Sequence, residues 1–575
     1  PIVKFSRFSV PVQLSSTFRT RSTISNRTNM SRILLIVLLV TNVYCVLCEP
    51  LVEVGHGSIS GVTLRTRNGR EISAFLGIPY AEPPIGDLRF RDPVPKRQWN
   101  GTLNAQTEGA PCVQLGENGV VGSENCLVLN VYTPKADKLM PVMVFIHGGG
   151  YVFGNSDKLY YGPNYLLDKD VVLVTLNYRL AVFGFLSTGD DAAPGNFGLK
   201  DQLLAMKWVK RNIRAFGGDS NRITLFGESS GSSIALSRIT ELLQSYFNNY
   251  IMQSGVAVCP WAFHSNPSYY ESAKKFAKQH NCPITDSHKL VNCLRRVPAT
   301  QMLDSSVFSP LEQIFLGTWG PTIERPYNNA FITESPINLL QKNEMKMGPL
   351  ISGNCRDEGL TMTKYSYVNS TQYNMLLSNS VSIIEEILQR SELPLRAKNL
   401  TALAIKVKNF YLGDEARVSR DRFLQGFTDL ITDITFVYPQ TYILKHLNEN
   451  VKQSTYGYLF NYRGTVSYTL EVTTENLGVS HADDLVYIFP ITSKNVNPAI
   501  DYTQTSADLK ISELVVDLWT SFANTRCGTI LYIQCIVKKY NTSTQVTLQS
   551  EFFKERMNFM DEFTCEKQKY AHLYF

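Results

Sequence analysis

A serine held between glycines is the first group in the chain with the makings of a nucleophile. Gly227-Glu-Ser-Ser-Gly231 follows the short apolar run Ile223-Thr-Leu-Phe226 directly. A strand that passes into a helix through such a segment must turn sharply at Ser229, and flanking glycines let neighbouring backbone approach where a Cβ would clash. A second glycine run, His147-Gly-Gly-Gly150, ends the apolar run Pro141-Val-Met-Val-Phe-Ile146. Its N–H groups can converge on one point, as stabilising a tetrahedral oxyanion requires, with the N–H of Ser230 as a third donor. Each such donor is worth about 3–4 kcal/mol in a transition state. Read without the glycine run, the serine motif is also an ordinary helix start.

A nucleophilic serine needs a base, and the base an orienting acid. All eight histidines follow residue 49. Where a strand–turn–helix carries the serine, the chain order is serine, acid, histidine. His481, in Gly478-Val-Ser-His-Ala-Asp-Asp484, stands out among the histidines after Ser229. Between them, Asp357-Glu358 follows the apolar run Pro349-Leu-Ile-Ser-Gly353, and spacing leaves both acids open.

These groups need a rigid frame. The runs at 141–146, 171–176 and 223–226 read as buried strands, and residues 201–215 carry helical periodicity closed by Phe216-Gly-Gly-Asp219. Alternating strands and helices predict a large, mostly parallel central sheet with helices on both faces, its functional loops at the strand carboxyl ends. No internal repeat or long linker divides the chain.

The 575 residues are 44% hydrophobic and 18% charged, which excludes a disordered, collagenous or coiled-coil chain. The formal charge of +6 is confined to one end. Lys4, Arg7, Arg19, Arg21, Arg27 and Arg32 precede Glu49 with no acid among them, so the remainder is formally neutral. No basic stripe interleaved with aromatics points to nucleic acid. Met30, Ser31-Arg32, the apolar run from Ile33 and Cys48-Glu49 read as a secretory signal peptide over 30–48, too short to span a membrane. The expected cut follows Cys48, with Cys45 the alternative. Residues 1–29 read as an upstream translated segment, and 49–575 as one catalytic domain. The product is then secreted and extracellular, with no membrane span.

A secretory route permits disulfides. Of the 11 cysteines, two pairs are close in sequence: Cys112 with Cys126, and Cys282 with Cys293. Cys259, Cys355, Cys527, Cys535 and Cys565 form an odd remainder, and no spacing suggests zinc. Asn100, Asn369, Asn399 and Asn541 open glycosylation sequons.

Several segments together resemble the type-B carboxylesterase and cholinesterase family of α/β-hydrolases, closest in look to insect general carboxylesterases. They are Gly77-Ile-Pro-Tyr-Ala-Glu-Pro-Pro84 with Arg89-Phe90, Ser123-Glu-Asn-Cys-Leu-Val-Leu-Asn130, the His147 run, Gly195-Asn-Phe-Gly-Leu-Lys-Asp-Gln202, the serine turn and residues 478–485. The likeness covers about residues 50–525. It implies the α/β-hydrolase fold and a triad of Ser229, Glu358 and His481. It also implies an oxyanion hole from Gly149, Gly150 and Ser230, disulfides Cys112–Cys126 and Cys282–Cys293, and structural ion pairs Arg89–Glu124 and Arg179–Asp201. By the same analogy Trp261 and residues 315–319, ending at Trp319, line the acyl side of the pocket.

The departures are informative. Cholinesterases carry a choline-binding tryptophan within the first disulfide loop, whereas residues 113–125 hold no aromatic. Juvenile hormone esterases usually have glutamine before the nucleophile, where this chain has Glu228. Cys527-Gly-Thr-Ile-Leu-Tyr-Ile-Gln-Cys535 lacks the Gly-x-Pro loop usual there. The expectation is a secreted serine carboxylesterase acting on uncharged esters as a monomer or homodimer, with neither metal nor organic cofactor. The alternative is an adhesion-type or ester-sequestering protein with little turnover, which the complete catalytic set disfavours.

Overall fold

The computed structural model describes residues 49–116, 119–233, 246–265, 268–303, 319–343, 348–413, 417–451, 454–525 and 552–564. The expected leader over 1–48, the sequon at Asn541, residues 315–318 and Cys527, Cys535 and Cys565 lie outside them. Pro1–Glu49 and Pro50–Phe575 are separate units, and every described strand and helix lies in the second.

Among the described residues, nine strands form the main sheet: β1 Val62–Arg65, β2 Glu71–Pro79, β3 Val128–Pro134, β4 Met140–Ile146, β5 Val172–Leu176, β6 Gly218–Glu228, β7 Asn249–Gln253, β8 Leu350–Cys355 and β9 Thr455–Phe460. Their spatial order is β9-β8-β7-β6-β4-β5-β3-β2-β1. The pairs from β5 through β9 are parallel, and β1, β2 and β3 add an antiparallel flank.

β4 is buried along its whole length. Its side chains alternate between two cores, as a period of two requires. Val142, Val144 and Ile146 enter one core, Met143 and Phe145 the other. A strand covered on both faces reads as an unbroken apolar run, which is why β4 and β5 are so clear in the sequence. The first core holds α1 Phe197–Asn212 and a helical layer of α2 Leu360–Val368, α3 Ser370–Arg390, α4 Leu400–Leu412 and α5 Arg420–Thr432. The second holds the apolar face of α6 Ser506–Thr525: Ile511, Val515, Val516, Trp519 and Phe522. Helices therefore cover both faces, the arrangement of an α/β-hydrolase. The last described helix is α7 Lys554–Asp561. No described helix is long and apolar enough to cross a membrane.

α1 begins at Phe197, earlier than the apolar pattern predicts, because Lys200, Asp201 and Gln202 are buried polar residues that mask its period. Asp201 takes a two-point contact from Arg179, Nε to Oδ2 at 2.8 Å and Nη2 to Oδ1 at 2.7 Å. Arg89 grips Glu124 the same way, at 2.7 and 2.5 Å. The Arg179–Asp201 pair is a fully buried strut, and the Arg89–Glu124 pair is largely so. Cys112–Cys126 and Cys282–Cys293 are disulfides, and Cys259 and Cys355 are buried thiols.

Candidate active site

The register of β4 against β6 builds the core of the site. Ile223 pairs with Val142 and Gly227 with Ile146, so both strands end level and both glycine runs leave the same edge. Ser229 sits at φ 55°, left-handed backbone that a non-glycine residue adopts only under constraint. The constraint is contact between the two turns. A Cβ on Gly231 would lie 2.1 Å from the Ile146 carbonyl oxygen, and one on Gly227 2.5 Å from that of Gly231. A Cβ on Gly148 would lie 3.0 Å from that of Ser229, which places the glycine run against the serine.

Gly149 and Gly150 have φ of 101° and 59°, and among the described residues no group accepts from either N–H. The Gly149 carbonyl accepts from Val152 and Phe153 at 3.0 and 3.1 Å, closing the segment into a turn. The Tyr151 N–H donates to Ser230 Oγ at 3.2 Å, tying that turn to the one bearing Ser229.

A short parallel bridge between Asp357 and Ser480 sets which of Asp357 and Glu358 meets His481. Asp357 spends its carboxylate on the Val479 N–H at 2.8 Å. The next side chain points the other way, and Glu358 Oε2 lies 2.5 Å from His481 Nδ1. Glu358 also accepts from the Cys355 N–H at 2.7 Å. Behind His481, Asp483 accepts from the Ser480 N–H and Ser467 Oγ at 2.8 and 2.7 Å. Asp484 accepts from Gln253 Nε2 and Tyr458 OH at 2.9 and 2.8 Å. Burial pushes these two acids up to about 6 and about 7.

His481 Nε2 stands 3.0 Å from Glu228 Oε1, and no hydrogen bond joins it to Ser229 Oγ in this structure. Catalytic contacts of this kind often tighten only when substrate is bound. Burial alone would lower the His481 pKa, but Glu228 and Glu358 on either side outweigh it and hold the imidazole well above its usual value. His147, by contrast, is pushed down to about 4 by burial and stacks on Tyr178, 4.5 Å between centroids. Burial likewise takes His264 to about 3.

Trp261 reaches the site. Its Nε1 donates to the Thr435 carbonyl at 3.0 Å, and its ring lies 5.6 Å from Phe436, itself 4.9 Å from the His481 ring. Phe436 belongs to a π-helical turn, Asp433–Val437, that no sequence signal marked. Trp319 packs edge-on against Tyr269 and Phe276, at 6.0 and 5.6 Å. Asn100, Asn369 and Asn399 are exposed. The last two also cap α3 and α4, Asn369 Oδ1 accepting from Thr371 and Gln372 and Asn399 Oδ1 from Ala402, which leaves each Nδ2 outside the cap.

A model of the carboxylesterase family matches residues 48–559. The chain belongs to the carboxylesterase family. It is a serine ester hydrolase. Juvenile hormone esterase of Tribolium castaneum is 38% identical over 84% of this chain and 85% of its own length. Esterase FE4 of Myzus persicae is 35% identical over 82% and 84%. Among solved structures, juvenile hormone esterase of Manduca sexta with OTFP covalently attached superposes with a TM-score of 0.76. It is 28% identical, and the match covers 90% of this carboxylesterase and 99% of that chain.

Proposed function

We propose that this carboxylesterase is a secreted enzyme that cleaves uncharged carboxylic esters through an acyl-enzyme on Ser229, with 49–575 as its single catalytic domain. The observation that carries the reading is the 2.5 Å contact of Glu358 Oε2 with His481 Nδ1, made beside the strained turn of Ser229. His481 Nε2 turns from Glu228 to the neighbouring Ser229 and takes the Oγ proton as Oγ bonds to the ester carbonyl carbon. The carbonyl oxygen becomes an alkoxide facing the N–H groups of Gly149, Gly150 and Ser230. The bond to the alcohol oxygen then breaks, His481 returns its proton to that oxygen, and the acyl group stays on Ser229. Water repeats the sequence and releases the acid. Glu358 orients the ring and stabilises the imidazolium. Trp261 and Phe436 supply an apolar wall that suits an uncharged acyl group. Secretion is supported by the two disulfides and the exposed sequons.

A narrower substrate reading has one support, the likeness to two juvenile hormone esterases, and one departure, Glu228 in place of glutamine. The test compares wild type with Ser229→Ala on a short aryl ester and on juvenile hormone. Ser229→Ala is expected to lose activity by at least about 1,000-fold and to escape organophosphate labelling. Equal rates in the two proteins would overturn the mechanism. A strong wild-type preference for juvenile hormone would establish the narrower substrate.

A further inference from the structure

Gln114 lies two residues beyond Cys112, at the start of a small hairpin in which Gln114–Gly116 pairs with Gly119–Val121. It is buried, although nothing in its own segment calls for a buried amide. Its side chain reaches across to the turn bearing Gly149 and Gly150 and meets Gly154 as a strand partner would. Gln114 Nε2 donates to the Gly154 carbonyl at 2.9 Å, and the Gly154 N–H donates to Gln114 Oε1 at 2.8 Å. The second Nε2 proton goes to the Cys112 carbonyl at 3.0 Å. Every polar atom of the amide is used, and only one orientation of it satisfies all three partners.

Gly154 is where the turn is closed. Its φ is 117°, and a Cβ there would lie 2.3 Å from His147 Nδ1 and 2.8 Å from the Gly148 oxygen. The Gly149 backbone is pressed as tightly against the other end of the same turn, 2.1 Å from a built Cβ to the Phe153 oxygen. A shift at Gly154 is therefore passed to Gly148 and Gly149 with little room to be absorbed. The frame behind Gln114 is equally fixed, by the Cys112–Cys126 disulfide and by Gly122 seated under the Pro111 and Cys112 carbonyls.

We infer that Gln114 is a positioning residue for ester hydrolysis: through its two-point clamp on Gly154, the first disulfide loop sets the aim of the Gly149 and Gly150 N–H groups. The inference rests on the assignment of those groups as the oxyanion hole. A misaimed hole weakens the transition state and spares ground-state binding, so its mark is a fall in kcat at nearly constant KM.

The experiment measures kcat per active site, titrated with an organophosphate, in wild type, Gln114→Ala and Gln114→Glu. In Gln114→Ala, kcat is expected to fall on the order of 100-fold with KM nearly unchanged. The affinity of a trifluoromethyl ketone, whose adduct with Ser229 carries the oxyanion, should fall in step with kcat/KM. Gln114→Glu has the shape of the native residue but can donate to the Gly154 carbonyl only when protonated. Its rate relative to wild type should therefore rise as the pH is lowered from 8 to 6. Wild-type kcat per titrated site in Gln114→Ala, or a loss confined to KM, overturns the inference. Ser229→Ala separates the two failures. Full activity there sinks the oxyanion-hole assignment itself, whereas an inactive Ser229→Ala beside a fully active Gln114→Ala sinks only the clamp.

Discussion

At the scale of single residues, the unusual feature is a histidine between two carboxylates. Glu358 meets Nδ1 and is the proposed orienting acid; Glu228 is held by its neighbour, since a Cβ on Gly148 would lie 2.3 Å from its Oε2. Both charges favour the imidazolium against burial and raise the His481 pKa. In the proposed mechanism only the neutral ring accepts the serine proton, so the rate should fall as the pH drops through that pKa. Glu228→Gln removes one of the two charges. The acidic limb of the kcat/KM profile on a short aryl ester should then move to lower pH, leaving the variant relatively more active than wild type in mildly acidic buffer. An unmoved limb, or one shifted upward, would show that Glu228 does not govern this ionisation.

At the scale of elements, the level ends of β4 and β6 do the positioning, and Gly231 is where the two loops touch. Gly231→Ala forces a methyl group onto the Ile146 and His147 carbonyls, 2.1 and 2.6 Å away. The expected cost is about 1–3 kcal/mol of stability, with loss of most titratable active sites. Urea unfolding and organophosphate titration check the two effects separately. A wild-type midpoint and full titration would mean that the contact relaxes freely. The sequence shows this part of the molecule well, because a strand buried on both faces leaves a continuous apolar run and a turn of this strain demands glycine. It shows the flanks poorly. β1 and β2 have an exposed or half-buried face and blend into the surrounding polar chain. Spacing alone leaves Asp357 and Glu358 equivalent; the family resemblance implies Glu358, and the bridge to Ser480 turns that side chain toward His481. Gln114 and Phe436 leave no mark, since each acts on a partner 40 or more residues away. Local pattern carries no record of such a contact.

At the scale of the whole molecule, the question is what holds the π-helical turn behind His481. The answer lies near the far end of the chain. Arg556, on α7, places Nη2 2.9 Å from Asp433 Oδ1 and Nη1 2.9 Å from Asp429 Oδ1, and Tyr411 OH donates to Asp433 Oδ2 at 2.7 Å. Asp433 is fully buried at the start of the turn that presents Phe436 to the His481 ring. Burial raises its pKa to about 7, while Arg556 pulls the other way. Arg556→Met removes the cation and strands the acid, for an expected cost of about 3–5 kcal/mol. The sign of the pH dependence follows from the raised pKa. Between the ordinary aspartate value and that of the folded state, the native protein holds a proton that the unfolded chain has lost, so stability declines as the pH rises through this window. Without Arg556 the native pKa climbs further and the decline extends to higher pH. The deficit of Arg556→Met relative to wild type should therefore be larger at pH 8 than at pH 6. Adding Asp433→Asn, which keeps an acceptor for Tyr411 and abolishes the charge, should restore much of the loss and flatten its pH dependence. Chemical denaturation of the single and double variants at both pH values tests this. A deficit equal at the two pH values, or one that the second substitution does not reduce, would mean that α7 supports the turn through packing and not through this charge.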